Sequence, residues 1–345
     1  MIWLTWRQFR AQALAAAAVL TAAAVYLLVT GTQLRHSYMS DLDTCRPLGT
    51  CSDVLGGLRD QYNGPLDLVE SLLMAAPALI GIFWGAPLIA GELERGTHHL
   101  AWNQSITRTH WLAVKLTVVA LASVLTGGVL SLLATWWAGP LDTVSGSRWG
   151  TQAFNARDIA PLGYTAFAFA LGVTLGLLIR RTLPAMAATL AVFVAVQVLV
   201  TAGIRPNLLP ATTVAVPINQ TTMSQAIRFD RSSSATGPVT IDLPAPPGSW
   251  VLSQTPALDG AGRPIQTSEI LACWSHQLAG PAGKGGSSGF GPLGTCLAPQ
   301  DLRVEITYLP RGRYWPLQWI ETALYIALAV LLTAACFRRI RRPRG

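Results

Sequence analysis

The chain has 345 residues, 51% hydrophobic and only 12% charged, with 25 bases against 17 acids for a net charge of +8. With its positive mean hydropathy, this composition excludes an ordinary soluble domain and points to a polytopic membrane protein. The basic excess would invite a nucleic-acid reading, but its distribution along the chain reports membrane topology instead.

The chain opens with MIWLTWRQFRAQ, in which Ile2, Trp3, Trp6, Phe9 and Ala13 recur at helical spacing while Arg7 and Arg10 suit phosphate contact. This predicts a helix over 1–11 lying in the membrane interface, the plainer alternative being a frayed start to the first span. Six stretches are long and apolar enough to span, near 12–30, 71–90, 116–138, 161–179, 183–203 and 317–337. The first is too long for a signal-peptide core, and TGTQLRHSYM after it lacks a small-x-small cleavage site, so it reads as a retained span. Residues 12–203 thus hold spans one to five, with an external loop at 31–70 and an internal segment at 91–115. Residues 317–345 form the sixth span and a basic tail.

Orientation follows from Lys and Arg placement. With the N-terminus inside, 12 of the 25 bases and only Glu92 and Glu94 of the 17 acids face the cytoplasm, leaving 13 bases and 15 acids elsewhere. Both termini are then cytoplasmic. Cys45 and Cys51 fall in the first external loop and Cys273 and Cys296 in the last. Four cysteines permit three pairings, of which proximity favours Cys45–Cys51 and Cys273–Cys296; four free thiols are the alternative. Residues 204–316 are rich in Pro and Gly, with β-like runs VTIDL, WVLSQ and LRVEITYLP between turn signals. They predict a small, loop-rich, partly β external domain. Tyr314, Trp315 and Trp319 then mark an aromatic belt ahead of span six. The fold class is all-α and polytopic: six transmembrane helices, an N-terminal interfacial helix, and that external domain between spans five and six.

Chemistry is sparse. Glu70 and Glu321 sit at outer span ends, Lys115 at an inner end, and Gln197 is the strongly polar side chain near mid-span, so a carboxylate-driven transporter or intramembrane protease is hard to build. GGSSG formally matches a nucleophile elbow but lies in a Gly/Pro tract that supports neither strand nor helix. GPAGKGGSS lacks the first glycine and the Ser/Thr of a phosphate-binding loop. His98 and His99 are adjacent and make a poor metal pair. No catalytic residue, metal site or resident cofactor is expected. The spans do carry Gly-x-x-x-Gly faces, Gly81 with Gly85 and Gly172 with Gly176, suited to close helix packing. Pro77 and Pro87 should bend or break the ends of span two.

Between spans two and three lies GELERGTHHLAWNQSITRTHWLAVK. Glu92 and Glu94 read as lying near a helix start, where the macrodipole favours acids. Gly96-Thr97 can break the chain before a short helix presenting Leu100. Ser105 or Thr107 can cap the helix that enters span three, with Arg108 at the headgroups. The form is that of a docking element, with a plain interfacial loop as the alternative.

The layout and this segment resemble the type-2 ABC transporter permeases, and are similar to those of high-GC Gram-positive bacteria. The motifs lie in 1–10, 79–115 and 313–321, with THHLAWNQ replacing the more usual Leu-rich run. The resemblance implies a coupling helix that fits a groove on a soluble ABC ATPase, matched here by Glu92, Glu94, Gly96, Thr97, Ser105, Thr107 and Arg108. It also implies a second permease chain, identical or not, and ATP and Mg bound only by the ATPase. The expected function is an exporter subunit in the bacterial cell membrane, in contact with lipids and not nucleic acid, moving a hydrophobic or amphipathic drug, lipid or peptide. The alternative is a membrane-anchored sensory or structural protein whose external domain binds a ligand.

Overall fold

A computed structural model of the chain describes residues 2–45, 51–96, 107–145, 148–224, 228–231, 237–269 and 301–341. Six helices in it are long and apolar enough to cross a membrane, and a small sheet region follows the fifth. The chain divides into two compact units, one of residues 1–208 with 314–345 and one of residues 209–313.

Helix α1 (Ile2–Cys45) carries the first span, and the basic-aromatic leader continues into it without a break. Helix α2 (Ser52–Ile80), a π-helical turn (Gly81–Gly85) and α3 (Ala86–Arg95) carry the second. The region 31–70, expected as a loop, is therefore helical at 31–45 and 52–70. The periodicity was present in the sequence: Leu27 and Leu34, with Tyr38, meet Leu58, Tyr62 and Leu66 from α2. Polar residues on the opposite face masked this stripe, because a helix beyond the bilayer needs only one apolar side. Cys45 and Cys51 are disulfide-bonded at the tip of this hairpin.

Span three lies in α4 (Arg108–Ser145), followed by the short α5 (Thr151–Ala156), then α6 (Ala160–Ile179) and α7 (Thr182–Leu199) for spans four and five, and α9 (Tyr314–Arg341) for span six. Span four is the central helix, and its glycines explain why. Gly163 faces the backbone of Thr322 in span six, and Gly172 and Gly176 face Ala86 and its neighbours in span two. Lipid tails are as apolar as leucine, so helices gain by close backbone approach rather than by burying grease.

Both π turns have the same cause. In span two Ala86 N–H donates to Gly81 C=O, and in span five Arg205 N–H donates to Val200 C=O, each five residues back. A proline, Pro87 or Pro206, comes next. Proline offers no N–H and its ring collides with the carbonyl four residues before it, so one widened turn relieves the clash and the helix continues. Pro77 is likewise carried inside α2, which does not end there.

In the second unit, β1 (Thr212–Pro217), β5 (Arg303–Leu309) and β4 (Trp250–Gln254) form an antiparallel sheet in the order β1–β5–β4. A two-stranded sheet pairs β2 (Arg228–Arg231) with β3 (Val239–Asp242). Val239, Ile241, Leu243, Val304 and Ile306 are buried in one core by alternation along these strands. The short helix α8 (Gln220–Ser224) is capped reciprocally by Asn219, whose Oδ1 accepts from Thr222 N–H, and by Thr222, whose Oγ1 accepts from Asn219 N–H. Hydrogen bonds from Arg263 and Ala261 hold the Asp259 carboxyl below its ordinary pKa in an exposed turn. Cys273, Cys296 and the Gly-rich stretch lie outside the described residues.

Candidate functional site

The acid pair of the segment between spans two and three closes α3 rather than opening a helix. Gly96, with φ +71°, takes the left-handed conformation that ends α3 one residue after Arg95. The C-terminal turn of a helix disfavours acids, so both carboxylates need partners from elsewhere. Glu92 pairs with Lys115 in the second turn of α4, and that ammonium is 2% exposed as a residue and lies 5.1 Å from the Trp111 ring centroid. Glu94 reaches the first residue of α7, accepting from Thr182 N–H at 2.9 Å and from Thr182 Oγ1 at 2.6 Å. A helix start is indeed what Glu94 serves, but it is the start of span five.

Thr107 caps α4, its hydroxyl accepting from His110 N–H at 3.3 Å, and Arg108 is the first helical residue. Behind this turn Trp84, Ile89, Trp111 and Leu112 are packed in one buried cluster. The acid pair thus ties span two to the starts of spans three and five. Thr97, Leu100 and Ser105 lie outside the described residues.

The two glycine pairs meet within one chain. A Cβ at Gly85 would lie 2.7 Å from Phe169 C=O, and one at Gly176 would lie 2.6 Å from Ala86 C=O. Gly81 and Gly172 are equally crowded against each other's helices.

At the opposite end of the spans is a buried polar network that inspection of single spans did not bring together. Arg205, just past the π turn of span five, binds Glu321 of span six in a fork, Nε to Oε2 and Nη2 to Oε1, both at 2.8 Å. Tyr164 of span four donates to the same Oε1 at 2.6 Å, and Arg205 also donates to Asn155 of α5. Its guanidinium lies 4.2 Å from the Phe154 ring centroid. Arg205 is 2% exposed and Glu321 fully buried. Two parallel charge-assisted bonds, with Asn155 as a further acceptor, are what make such a pair tolerable away from water.

A second group adjoins it along the chain. Arg157 Nη1 donates to Asp142 at 2.9 Å and its Nη2 lies 3.0 Å from Glu70, joining the ends of spans two and three. Asp158, at φ +63°, turns the chain into α6 and accepts from Tyr314 Oη. Tyr314 is therefore buried rather than part of an aromatic belt, while Trp315 and Trp319 are exposed. Gln318 of span six caps span four, its Oε1 accepting from Ala160 N–H at 2.8 Å. The available signal was the polar run NARD before span four, opposite acids at the ends of spans two, three and six. Gln197, the polar residue near mid-span, accepts from Tyr325 Oη at 2.9 Å.

Among the described residues no group of three or more His, Cys, Asp or Glu is disposed to hold a metal ion. A family model described as ABC-2 membrane transporter related matches residues 17–205, more than half the chain, from within the first span to Arg205 near the end of the fifth. No curated protein and no solved structure matches the chain.

Proposed function

The chain belongs to the ABC-2 membrane transporter related family and is a membrane-spanning permease component; from that premise we propose that it couples ATP hydrolysis by a soluble ABC ATPase to export across the bacterial cell membrane. The basic end, with both termini, faces the cytoplasm. Residues 92–108 dock on the ATPase, where ATP and Mg are bound, and this chain catalyses nothing itself. A second permease chain completes the pathway. The cargo is hydrophobic or amphipathic, a reading supported by spans whose charged side chains lie towards their ends.

The observation that carries this reading is the bond from Glu94 to Thr182. Movement of the docked segment is transmitted through it to the start of span five, and through Glu92 and Lys115 to span three. Span five then acts as a lever of 26 residues ending in Asn207, about 39 Å long at helical rise. Near its far end Arg205 binds Glu321 and Tyr164. That pair acts as an external gate, strained open when the docked segment moves.

The test is purification of the tagged chain from its native membrane in mild detergent, with identification of stoichiometric partners. The expected result is a soluble ABC ATPase that is lost when Glu94→Ala and Arg108→Ala are combined. Recovery of the chain without an ATPase, or with one indifferent to those changes, would favour the anchored sensory or structural protein.

A further inference from the structure

Spans three, four and six leave an apolar groove between them, open on one side, with a volume of about 520 Å³. Ala166 and Ala170 of span four make its floor; Ala113 and Ala120 wall it from span three, and Ala329 and Ala334 from span six. Small side chains at all six positions hold the space open. Its size falls within the roughly 300–1,000 Å³ of small-molecule sites.

The length of the groove is informative. It runs from Val124 and Ile326 to Ala113 and Phe337, 11 residues along each wall. At helical rise that is about 16 Å, roughly half of a hydrocarbon core about 30 Å thick. The groove therefore serves one leaflet, the one at the basic end, and stops near the bilayer centre. A helix of a second copy would need a groove crossing both leaflets.

Its mouth carries positive charge. Continuing the lining face of α9 by helical steps from Val330, Ala334 and Phe337 reaches Arg338 and Arg341, both exposed. Continuing that of α4 backwards from Thr117 and Ala113 reaches His110, also exposed. Among the described residues α9 has no acid after Glu321 and α4 none before Asp142, while Glu92 and Glu94 are engaged with Lys115 and Thr182. A single-leaflet apolar slot ending at two arginines is complementary to one class of molecule.

We propose that this groove binds an anionic phospholipid, one acyl chain lying between spans three and six and the phosphate held by Arg338 and Arg341. The site goes beyond the coupling reading and does not depend on it, because it needs neither an ATPase nor a cargo. Bound there, the lipid ties span six to span three at the end where the docking segment enters.

The experiment is native mass spectrometry of the full detergent-purified chain titrated with dioleoylphosphatidylglycerol or dioleoylphosphatidylcholine. The expected result is one saturable phosphatidylglycerol bound in clear preference to phosphatidylcholine. Arg338→Gln and Arg341→Gln should each weaken it about fivefold, as expected for a cation beside an anionic headgroup. Arg339→Gln, off the groove face, should do much less. Thr117→Trp and Ala334→Trp, both at exposed lining positions, should abolish saturable binding with the melting temperature unchanged. Equal affinity for the two lipids would overturn the proposal. So would phosphatidylglycerol binding that survives either tryptophan in a folded chain, since that would assign it to the basic tail alone.

Discussion

The carboxylate of Glu94, in the last turn of one helix, accepts both the backbone N–H and the hydroxyl of Thr182, the first residue of another 88 positions later in the chain. Each residue answers a deficit of the other. An acid at a helix C-terminus faces the negative end of its own macrodipole, and a helix N-terminus has donors without partners. Joined, they make a link between the segment entering span three and the start of span five.

If that link transmits force, Glu94→Ala should lower cargo-stimulated ATP turnover of the reconstituted complex several-fold while leaving the chain assembled. Thr182→Val removes only the hydroxyl donor and should have the smaller effect. Because both changes act on one bond, the double variant should be no worse than Glu94→Ala. Additive losses in this cycle would show that the two residues act separately.

The glycines between spans two and four make a second prediction. Ala in place of Gly85 or Gly176 would place a methyl group against backbone carbonyls of the facing helix, which cannot move aside as a side chain tip can. Overpacking of this kind costs about 1–3 kcal/mol, visible as a lowered melting temperature in detergent. Gly57→Ala, with nothing within 4 Å, is the control and should leave melting unchanged or slightly raised.

Arg205 and Glu321 are expected to behave as a buried pair. Removing one partner, by Arg205→Met or Glu321→Leu, leaves a charge without its counterpart and should destabilise by about 3–5 kcal/mol. The double variant Arg205→Met with Glu321→Leu should recover much of the loss in melting temperature. If the pair is also an external gate, the recovered double variant should leak cargo when the ATPase is idle. A double variant as unstable as the singles would mean that Tyr164 and Asn155 need the charge more than the fold does.

The Cys45–Cys51 bond closes a short loop at the tip of the α1–α2 hairpin. Loop-closure entropy for a separation of six residues amounts to about 2 kcal/mol. Cys45→Ser, or reductant, should therefore lower the melting temperature modestly, and the two treatments together should not add.

Much of this architecture was legible from the chain alone, and the reason is the solvent. A bilayer demands about 20 apolar residues per crossing, so the six spans could be counted from composition. Gly81, Gly85, Gly172 and Gly176 could be marked as packing positions because only small residues let backbones meet. The runs VTIDL, WVLSQ and LRVEITYLP showed strand alternation, whereas β1 and β2 did not stand out from a polar, Pro-rich context. The helical extension through 31–45 was hidden by its own polar face.

The partners of the charged groups were not legible. Glu321 read as a charge at an outer span end and Glu92 and Glu94 as acids near a helix start, and spacing along one helix says nothing about which other helix will stand beside it. Charge and hydropathy by themselves determined how many times the chain crosses and which residues must sit near the ends of the crossings. Only the tertiary structure decided that Glu94 would cap span five, that Arg205 would fork onto Glu321, and that Gly172 would meet span two, because each is a contact between residues far apart in sequence, selected by how the helices pack.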